Sequence, residues 1–236
     1  MRYVELMGFG PTGWGPAMLR AAGMTVVVAV LGFLVGAVFG SLAAWAKLSR
    51  VRPLRWLADG YTTLLRGVPD LLVIYLFYFG GSAALSAVAR MLGGQGFVGV
   101  PALLTGALAL GAISGAYQAE VYRGAYLALA KGELEAARSV GMARFLMFRR
   151  IVAPQVMRYA VPGLGNVWQL VLKESALISV TGLVELLRQS QIGAGSTREP
   201  FPFYLTAAAL YLLITTVSTY GFSWVEARSM RGVRRA

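Results

Sequence analysis

The sequence contains no cysteine and no histidine. Disulfide bonds, thiol chemistry, imidazole acid–base catalysis and the usual zinc sites are therefore excluded. Charged residues make up only 14% of the 236 residues, whereas 57% are hydrophobic and the mean hydropathy is +0.64. Because soluble domains carry about 25% charged residues, this composition indicates a membrane protein. We expect the chain to bind no metal and no cofactor of its own.

The sequence also lacks the G-x-x-x-x-G-K-[ST] loop with which many proteins bind the phosphates of ATP. No arrangement of a nucleophile with a general base is recognisable either, so we predict no catalytic residue and disfavour a membrane-bound enzyme. If transport is driven by ATP, ATP and Mg²⁺ must be bound by a separate ATPase chain.

Long stretches without charged residues indicate how the chain is organised. A helix needs about 20 apolar residues to cross a bilayer, and spanning segments must satisfy their own backbone hydrogen bonds. We therefore predict an all-α integral membrane protein, a single transmembrane domain over residues 1–236. Its five spans are predicted at about residues 18–46, 56–89, 101–130, 151–183 and 200–226. The first is too long for a signal-peptide core, so we expect it to be retained.

Basic residues are distributed on one side of the predicted spans. Lysines and arginines concentrate at residues 47–55, 123–158 and 228–235, and the other connections hold few. Since basic loops mark the cytoplasmic side, we predict an N-terminus outside and a C-terminus inside. The formal net charge of +12 is then a topology signal, and we predict no nucleic-acid partner. The protein's surroundings are membrane lipid.

Small residues recur at a spacing of four in two predicted spans. Gly32, Gly36 and Gly40 follow one another in the first span, and Gly111 and Gly115 do so in the third. Such residues on one helix face let two backbones approach closely in lipid. We predict a compact bundle from this pattern and infer nothing about the substrate.

The longest cytoplasmic connection has the features of a short helix. Gly132 allows a break, and Glu133 and Glu135 then fall near a new helix N-terminus, where the helix dipole favours carboxylates. Gly141 permits termination. We predict a cytoplasmic helix at about residues 132–145, with its regular part near residues 133–140, whose small alanine side chains would let a partner pack closely.

The spacing within this connection resembles the EAA loop of ABC importer permeases. That family's loop forms a coupling helix, which lies in a groove of the ATPase subunit. Ala153 departs from the pattern, because the family usually has leucine there. The residues that match, and that the resemblance assigns to ATPase coupling, are Glu135, Ala136, Ala137, Gly141, Ile151 and Pro154.

Residues 66–80, 114–137 and 157–183 are similar to the permeases of the polar amino acid uptake family. The likeness is greatest to the Q-type subunits of histidine, lysine-arginine-ornithine, arginine and opine importers. It implies a type I ABC importer-like bundle in the bacterial inner membrane. It further implies a second homologous permease, as a heterodimer or a homodimer, with two ATPase copies and a periplasmic or extracellular substrate-binding protein.

Ionisable groups at membrane depth are costly, so each suggests a function. Asp70, Glu174 and Glu185 qualify, and we assign them, with the nearby amide of Asn166, to a substrate path for a basic amino acid or guanidino compound. A buried amide could equally hold helices together. For Glu120, a structural pair with a neighbouring arginine is the better interpretation.

The main alternative function is a secondary transporter or channel driven by an ion gradient. Membrane carboxylates would suit proton coupling. However, we detect no inverted repeat in the five predicted spans, and a secondary carrier has no need of the EAA spacing. We therefore predict a permease subunit of an ATP-driven importer for polar amino acids of the basic class or for opines.

Overall fold

A computed structural model describes residues 5–93, 96 and 99–230, and every regular element within them is helical. The all-α prediction is thus confirmed for the described part of the chain. The main helices are α1 (Gly15–Leu48), α2 (Arg52–Gly67), α3 (Asp70–Met91), α4 (Ala102–Leu127), α5 (Lys131–Ser139), α6 (Ala153–Glu174), α7 (Leu186–Thr197) and α8 (Pro200–Ser229).

Four of these helices, α1, α3, α4 and α8, are long and apolar enough to cross a membrane. The segment predicted as one span at residues 56–89 is divided between α2 and α3 at Val68 and Pro69. Val68 is extended, with ψ of 141°, because the ring of a following proline disfavours the helical conformation. The segment predicted at 151–183 becomes α6 followed by the 3₁₀ helix Ser175–Thr181. Five spans remain a prediction.

Helices α1 and α4 pack backbone to backbone through the small residues noted in the sequence. A Cβ atom on Gly40 would lie 2.8 Å from Cβ of Gln118, and one on Gly36 would overlap the Ser114 hydroxyl. The close approach lets Ser114 Oγ donate to the Gly32 carbonyl at 3.2 Å and Gln118 Nε2 donate to the Phe33 carbonyl at 3.0 Å. In lipid, such short-range packing and interhelical hydrogen bonds hold helices together.

The core lies where α1, α3, α4, α6 and the 3₁₀ helix meet. Val28, Ile74, Ile113, Val171 and Ile178, one from each of these elements, are all fully buried. By contrast, only 11% of the most apolar window of α8 is buried inside the protein. Helix α8 therefore lies at the periphery of the bundle, with most of its apolar surface left for other neighbours.

Two helical turns are wider than α-helical turns. Leu76–Gly80 within α3 and Phe148–Val152 immediately before α6 are both π-helical. The second follows a single α-helical turn at Arg144–Met147, so the chain runs from α5 into α6 through this widened turn. Single π-helical turns inside α-helices are rare and are frequent at functional sites.

An ion network joins three helices near the end of α1. Lys47 Nζ lies 2.6 Å from Glu120 Oε1 on α4 and 2.9 Å from Asp59 Oδ1 on α2. Arg123 Nη2 lies 2.9 Å from the other oxygen of Glu120, so the predicted structural pair of Glu120 with an arginine is confirmed. The Lys47 side chain is only 9% exposed, which limits solvent screening of its two pairs.

Candidate functional site

Helix α5 ends in a regular left-handed cap. The N–H of Gly141 donates to the Arg138 carbonyl at 2.9 Å, and the N–H of Met142 donates to the Ala137 carbonyl at 3.1 Å. This pair of bonds is a Schellman motif, whose fifth residue needs a positive φ. Gly141 supplies it, with φ of 72°. The predicted termination at Gly141 thus has a definite geometry.

The exposed side of α5 and of the turn after it is partly apolar. Ala137 is only 4% exposed, whereas Glu135 and Ala136 are exposed. Beyond the helix, Val140 and Phe145 are each 76% exposed. Large apolar side chains that project from a polar connection indicate a surface that packs against another protein.

The two ends of the coupling segment, residues 131–155, are joined by a side-chain hydrogen bond. Gln155 Nε2 donates to Glu133 Oε2, which ties the first turn of α5 to the first turn of α6. Ile151 lies in the π-helical turn between them, and Pro154 occupies the first turn of α6. Proline suits that position because the first N–H groups of a helix have no intrahelical partner.

A second group of polar side chains lies where α2 and α3 meet α4 and the end of α6. Asp70 at the start of α3 and Glu174 at the end of α6 interact electrostatically, and both act on Tyr117 of α4. The Arg66 guanidinium lies 5.2 Å from the centre of the Tyr117 ring, a cation–π distance. Glu174 is 6% exposed, and its Oε2 has no hydrogen-bond partner among the described residues.

The structure brings together only two of the four residues predicted for the substrate path. Asn166 is exposed on α6, eight positions before Glu174. Glu185 is fully buried and caps α7: its carboxylate accepts from the N–H groups of Leu187 at 2.9 Å and Arg188 at 2.7 Å. The Tyr211 hydroxyl donates to Glu185 Oε2 at 3.1 Å, so both carboxylate oxygens are engaged in holding the fold.

Sequence reasoning missed several residues of these two regions. Arg66 was assigned to no role, although it stands four positions before Asp70 across the Gly67–Pro69 break. Tyr117 carries no signal in an apolar span, and only its neighbours in space single it out. Val140 and Phe145 could have been found as large apolar residues within an otherwise polar connection.

Within the residues that the structure describes, no group of three or more acidic side chains forms a set that could hold a metal ion. The candidate site is therefore built from a carboxyl pair, one guanidinium and one phenol. Such a set can bind a cationic group at Asp70 and Glu174 and an anionic group at Arg66.

Comparison with known proteins agrees with these features. Residues 36–231 match the family of binding-protein-dependent transport system inner membrane components. The chain is 65% identical over 235 residues to the octopine transport system permease protein OccQ of Rhizobium meliloti, covering 100% of this chain and 99% of that protein. It is 49% identical over 232 residues to the nopaline transport system permease protein NocQ of Agrobacterium fabrum, covering 98% of each chain.

A solved structure also has the same fold. A chain in the crystal structure of an amino acid ABC transporter with histidines superimposes with a TM-score of 0.76 at 32% identity, over 91% of this chain and 95% of that one. The family match, residues 36–231, includes the C-terminal part of α1 and all of α2 to α8, and hence both the coupling segment and the carboxyl pair. The chain belongs to the family of binding-protein-dependent transport system inner membrane components, and it is a permease subunit of an ABC importer.

Proposed function

We propose that this permease subunit imports an opine or a related basic amino acid, and that Asp70 and Glu174 bind the cationic end of that substrate. The observation that carries the proposal is the buried carboxyl group of Glu174: its Oε2 accepts from no N–H or hydroxyl group among the described residues, and it interacts instead with a second carboxyl group, that of Asp70. A buried acceptor without a partner costs about 1–3 kcal/mol, and a substrate N–H group would satisfy it.

The charges around this pair suit a molecule with charges of both signs. A guanidinium or ammonium group near Asp70 and Glu174 would form charge-assisted hydrogen bonds, which are about twice as strong as neutral ones. The exposed guanidinium of Arg66 lies 5.2 Å from the centre of the Tyr117 ring and would donate hydrogen bonds to the substrate carboxylate. A neutral amino acid carries no cationic side chain, so it could offer the carboxyl pair only its α-ammonium group.

The names of the relatives support the same class of substrate. The octopine and nopaline permeases, at 65% and 49% identity over nearly the whole chain, serve systems for opines. Octopine carries both a guanidinium group and carboxylates, which fits the arrangement of Arg66, Asp70 and Glu174. Asn166, which is exposed on α6, is proposed to line the substrate path, and Glu185 is not part of the proposed site.

The test is competitive uptake by the complete importer in proteoliposomes. Asp70→Asn and Glu174→Gln should weaken uptake of arginine and octopine by about 10- to 100-fold, because each removes a charge-assisted bond worth about 1.5–3 kcal/mol. Glutamine uptake should change much less. Glu226→Gln, which neutralises a carboxylate at the far end of α8, is the matched control.

Equal losses for charged and neutral substrates would make the pair structural and refute the proposed site. Uptake that persists without ATP, driven by an imposed proton gradient, would instead favour the ion-coupled alternative.

We further propose that five helices span the inner membrane, α1, α3, α4, α6 and α8, with the N-terminus outside. Helix α6 is 22 residues long, enough to cross about 30 Å, and its exposed Asn166 and Lys173 would face a path or a second permease rather than lipid. This arrangement puts α5 in the cytoplasm with the basic segments. The second permease is a homologous chain, in a heterodimer, or an identical chain, in a homodimer, and a separate substrate-binding protein delivers the substrate outside.

We propose that each permease docks one separate ATPase chain through its coupling segment. The two ATPase chains bind ATP and Mg²⁺. The exposed Ala136 of α5 would admit a close partner, whereas Ala137 is buried, and Val140 and Phe145 would fill apolar pockets in that partner. Fully burying an aromatic or aliphatic side chain contributes about 1.5–3 kcal/mol. Phe145→Ala should therefore weaken ATPase binding by about tenfold or more.

Phe9→Ala is the matched control, since Phe9 is 73% exposed and belongs to the predicted outer end of the chain. The measurement is ATPase retention on the tagged, reconstituted permease complex. Equal retention by the Phe145 and Phe9 variants would contradict the docking surface.

A further inference from the structure

An open cavity of about 1300 Å³ lies between the C-terminal end of α1, the end of α4 and the coupling segment. It is larger than the range of about 300–1,000 Å³ that is typical of pockets for small molecules. Its walls come from two separate parts of the chain. Trp45 belongs to α1 and Arg50 follows the end of that helix, whereas Met147 and Phe148 belong to the turns before α6.

The polar wall of this cavity carries positive charge. Arg50, Arg138 and Arg144 line it, and no aspartate or glutamate does. All three arginines are exposed, and none forms an ion pair within residues 5–93, 96 and 99–230. Unpaired guanidinium groups around a common space attract an anion, and their planar fork suits phosphate oxygens.

The remaining walls are those of a membrane interface. Trp45, 66% exposed, and Tyr122 and Tyr126 line the cavity beside the arginines. Tryptophan and tyrosine concentrate at the level of the lipid headgroups, where one side of the ring is apolar and the other wet. Phe148 and Met157, 56% and 48% exposed, add an apolar wall. The cavity therefore combines an anion site with a surface for hydrocarbon.

We propose that this cavity binds an anionic phospholipid of the cytoplasmic leaflet, with its phosphate among Arg50, Arg138 and Arg144 and its acyl chains along Trp45, Phe148 and Met157. Basic pockets between membrane helices on the cytoplasmic side suit such headgroups. The proposal rests on the orientation proposed above, which puts this end of α1 in the cytoplasmic leaflet.

The bound lipid links the coupling segment to the bundle. Arg50 follows the end of α1, whereas Arg138 belongs to α5 and Arg144 to the turn after it. A phosphate shared between these three arginines would hold α5 against the end of α1. The lipid thereby fixes the position of the surface that receives the ATPase.

The test is native mass spectrometry of the complete importer after exchange into nanodiscs of phosphatidylcholine with added phosphatidylglycerol. Arg50→Gln with Arg144→Gln should weaken retention of phosphatidylglycerol by about 30-fold, at about fivefold per arginine. Arg52→Gln with Arg149→Gln is the matched control, because these exposed arginines lie near the same segments but outside the cavity. The Arg50→Lys, Arg144→Lys variant, which keeps the charge, should retain lipid.

Inorganic phosphate at the same concentration distinguishes a lipid from a soluble anion. Competition by phosphate alone, with no retained phosphatidylglycerol, would refute the lipid, and equal retention by the cavity and control variants would refute the site. Because retention is measured without transport, a failure of the proposed substrate or ATPase docking leaves this result intact. If the orientation is wrong, the arginines would meet the outer leaflet, and lipid confined to the cytoplasmic side of proteoliposomes would not be retained.

Discussion

A single methyl group added to the coupling segment tests its role most sharply. Gly141 and Gly132 both lie in or next to α5, and a Cβ atom at either would meet nothing within 4 Å. They differ in backbone conformation, because only Gly141 has a positive φ, at 72°. Gly141→Ala should therefore disturb the cap of α5, whereas Gly132→Ala should leave it unchanged.

The expected size of the effect follows from that conformation. An L-residue in the left-handed region costs roughly 1–2 kcal/mol. The coupling segment can avoid this cost by opening the cap, which breaks the bonds from Gly141 to Arg138 and from Met142 to Ala137. If the ATPase binds only the capped form, its affinity should fall by about 5- to 30-fold. The ATPase affinity of the Gly141→Asn variant should fall less, because asparagine tolerates the left-handed region.

The assay is binding of the cognate ATPase to the permease complex in nanodiscs, followed by substrate-stimulated ATP hydrolysis. Membrane insertion and complex yield should stay at wild-type levels for both variants, since neither position packs against the bundle. Equal ATPase affinity for Gly141→Ala and Gly132→Ala would refute the argument that the cap presents the docking surface.

Three further substitutions probe the bundle, each by its thermal midpoint in detergent. A Cβ on Gly193 would overlap the Phe203 ring, so Gly193→Ala should destabilise the fold by about 1–3 kcal/mol, whereas Gly195→Ala, with open space, should not. Glu185→Gln should cost about 0.5–2 kcal/mol through the weakened cap of α7 without changing substrate preference; a changed preference would return Glu185 to the path. Lys47→Met should lower the free energy of unfolding by about 1.5–3 kcal/mol and make the thermal midpoint less dependent on salt. An unchanged midpoint would contradict the role of the Lys47 ion pairs.

Features set by local rules could be predicted from the sequence. Uncharged length indicated the helices that became α1, α4 and α8, and the glycines of α1 and α4 predicted their close packing. The short cytoplasmic helix and its end at Gly141 followed from dipole and glycine preferences. The division of the predicted span 56–89 at Val68 and Pro69, which makes α2 a separate helix, was not predicted.

Two kinds of feature could not be predicted: which side of a helix faces its neighbour, and which residues far apart in sequence come into contact. Asp70 and Glu174 are far apart in sequence, and only the packing of α3 against the end of α6 brings them together. Glu185 is a glutamate next to an apolar stretch, as Glu174 is, yet it caps α7 because the chain turns there. The cost of a charge at membrane depth identified Asp70, Glu174 and Glu185 as candidates. It did not show that Glu185 would cap a helix.

The π-helical turn Phe148–Val152 sets the phase between the two functional regions. Each residue of an α-helix advances the chain by about 100° around its axis. The extra residue held in that turn therefore offsets α6 from α5 by about that angle. Relaxing it to an ordinary α-turn while α5 stayed fixed would rotate Glu174 relative to α5 by roughly a quarter of a revolution. A one-residue change in this turn would then also change how the Glu174 side chain faces Asp70.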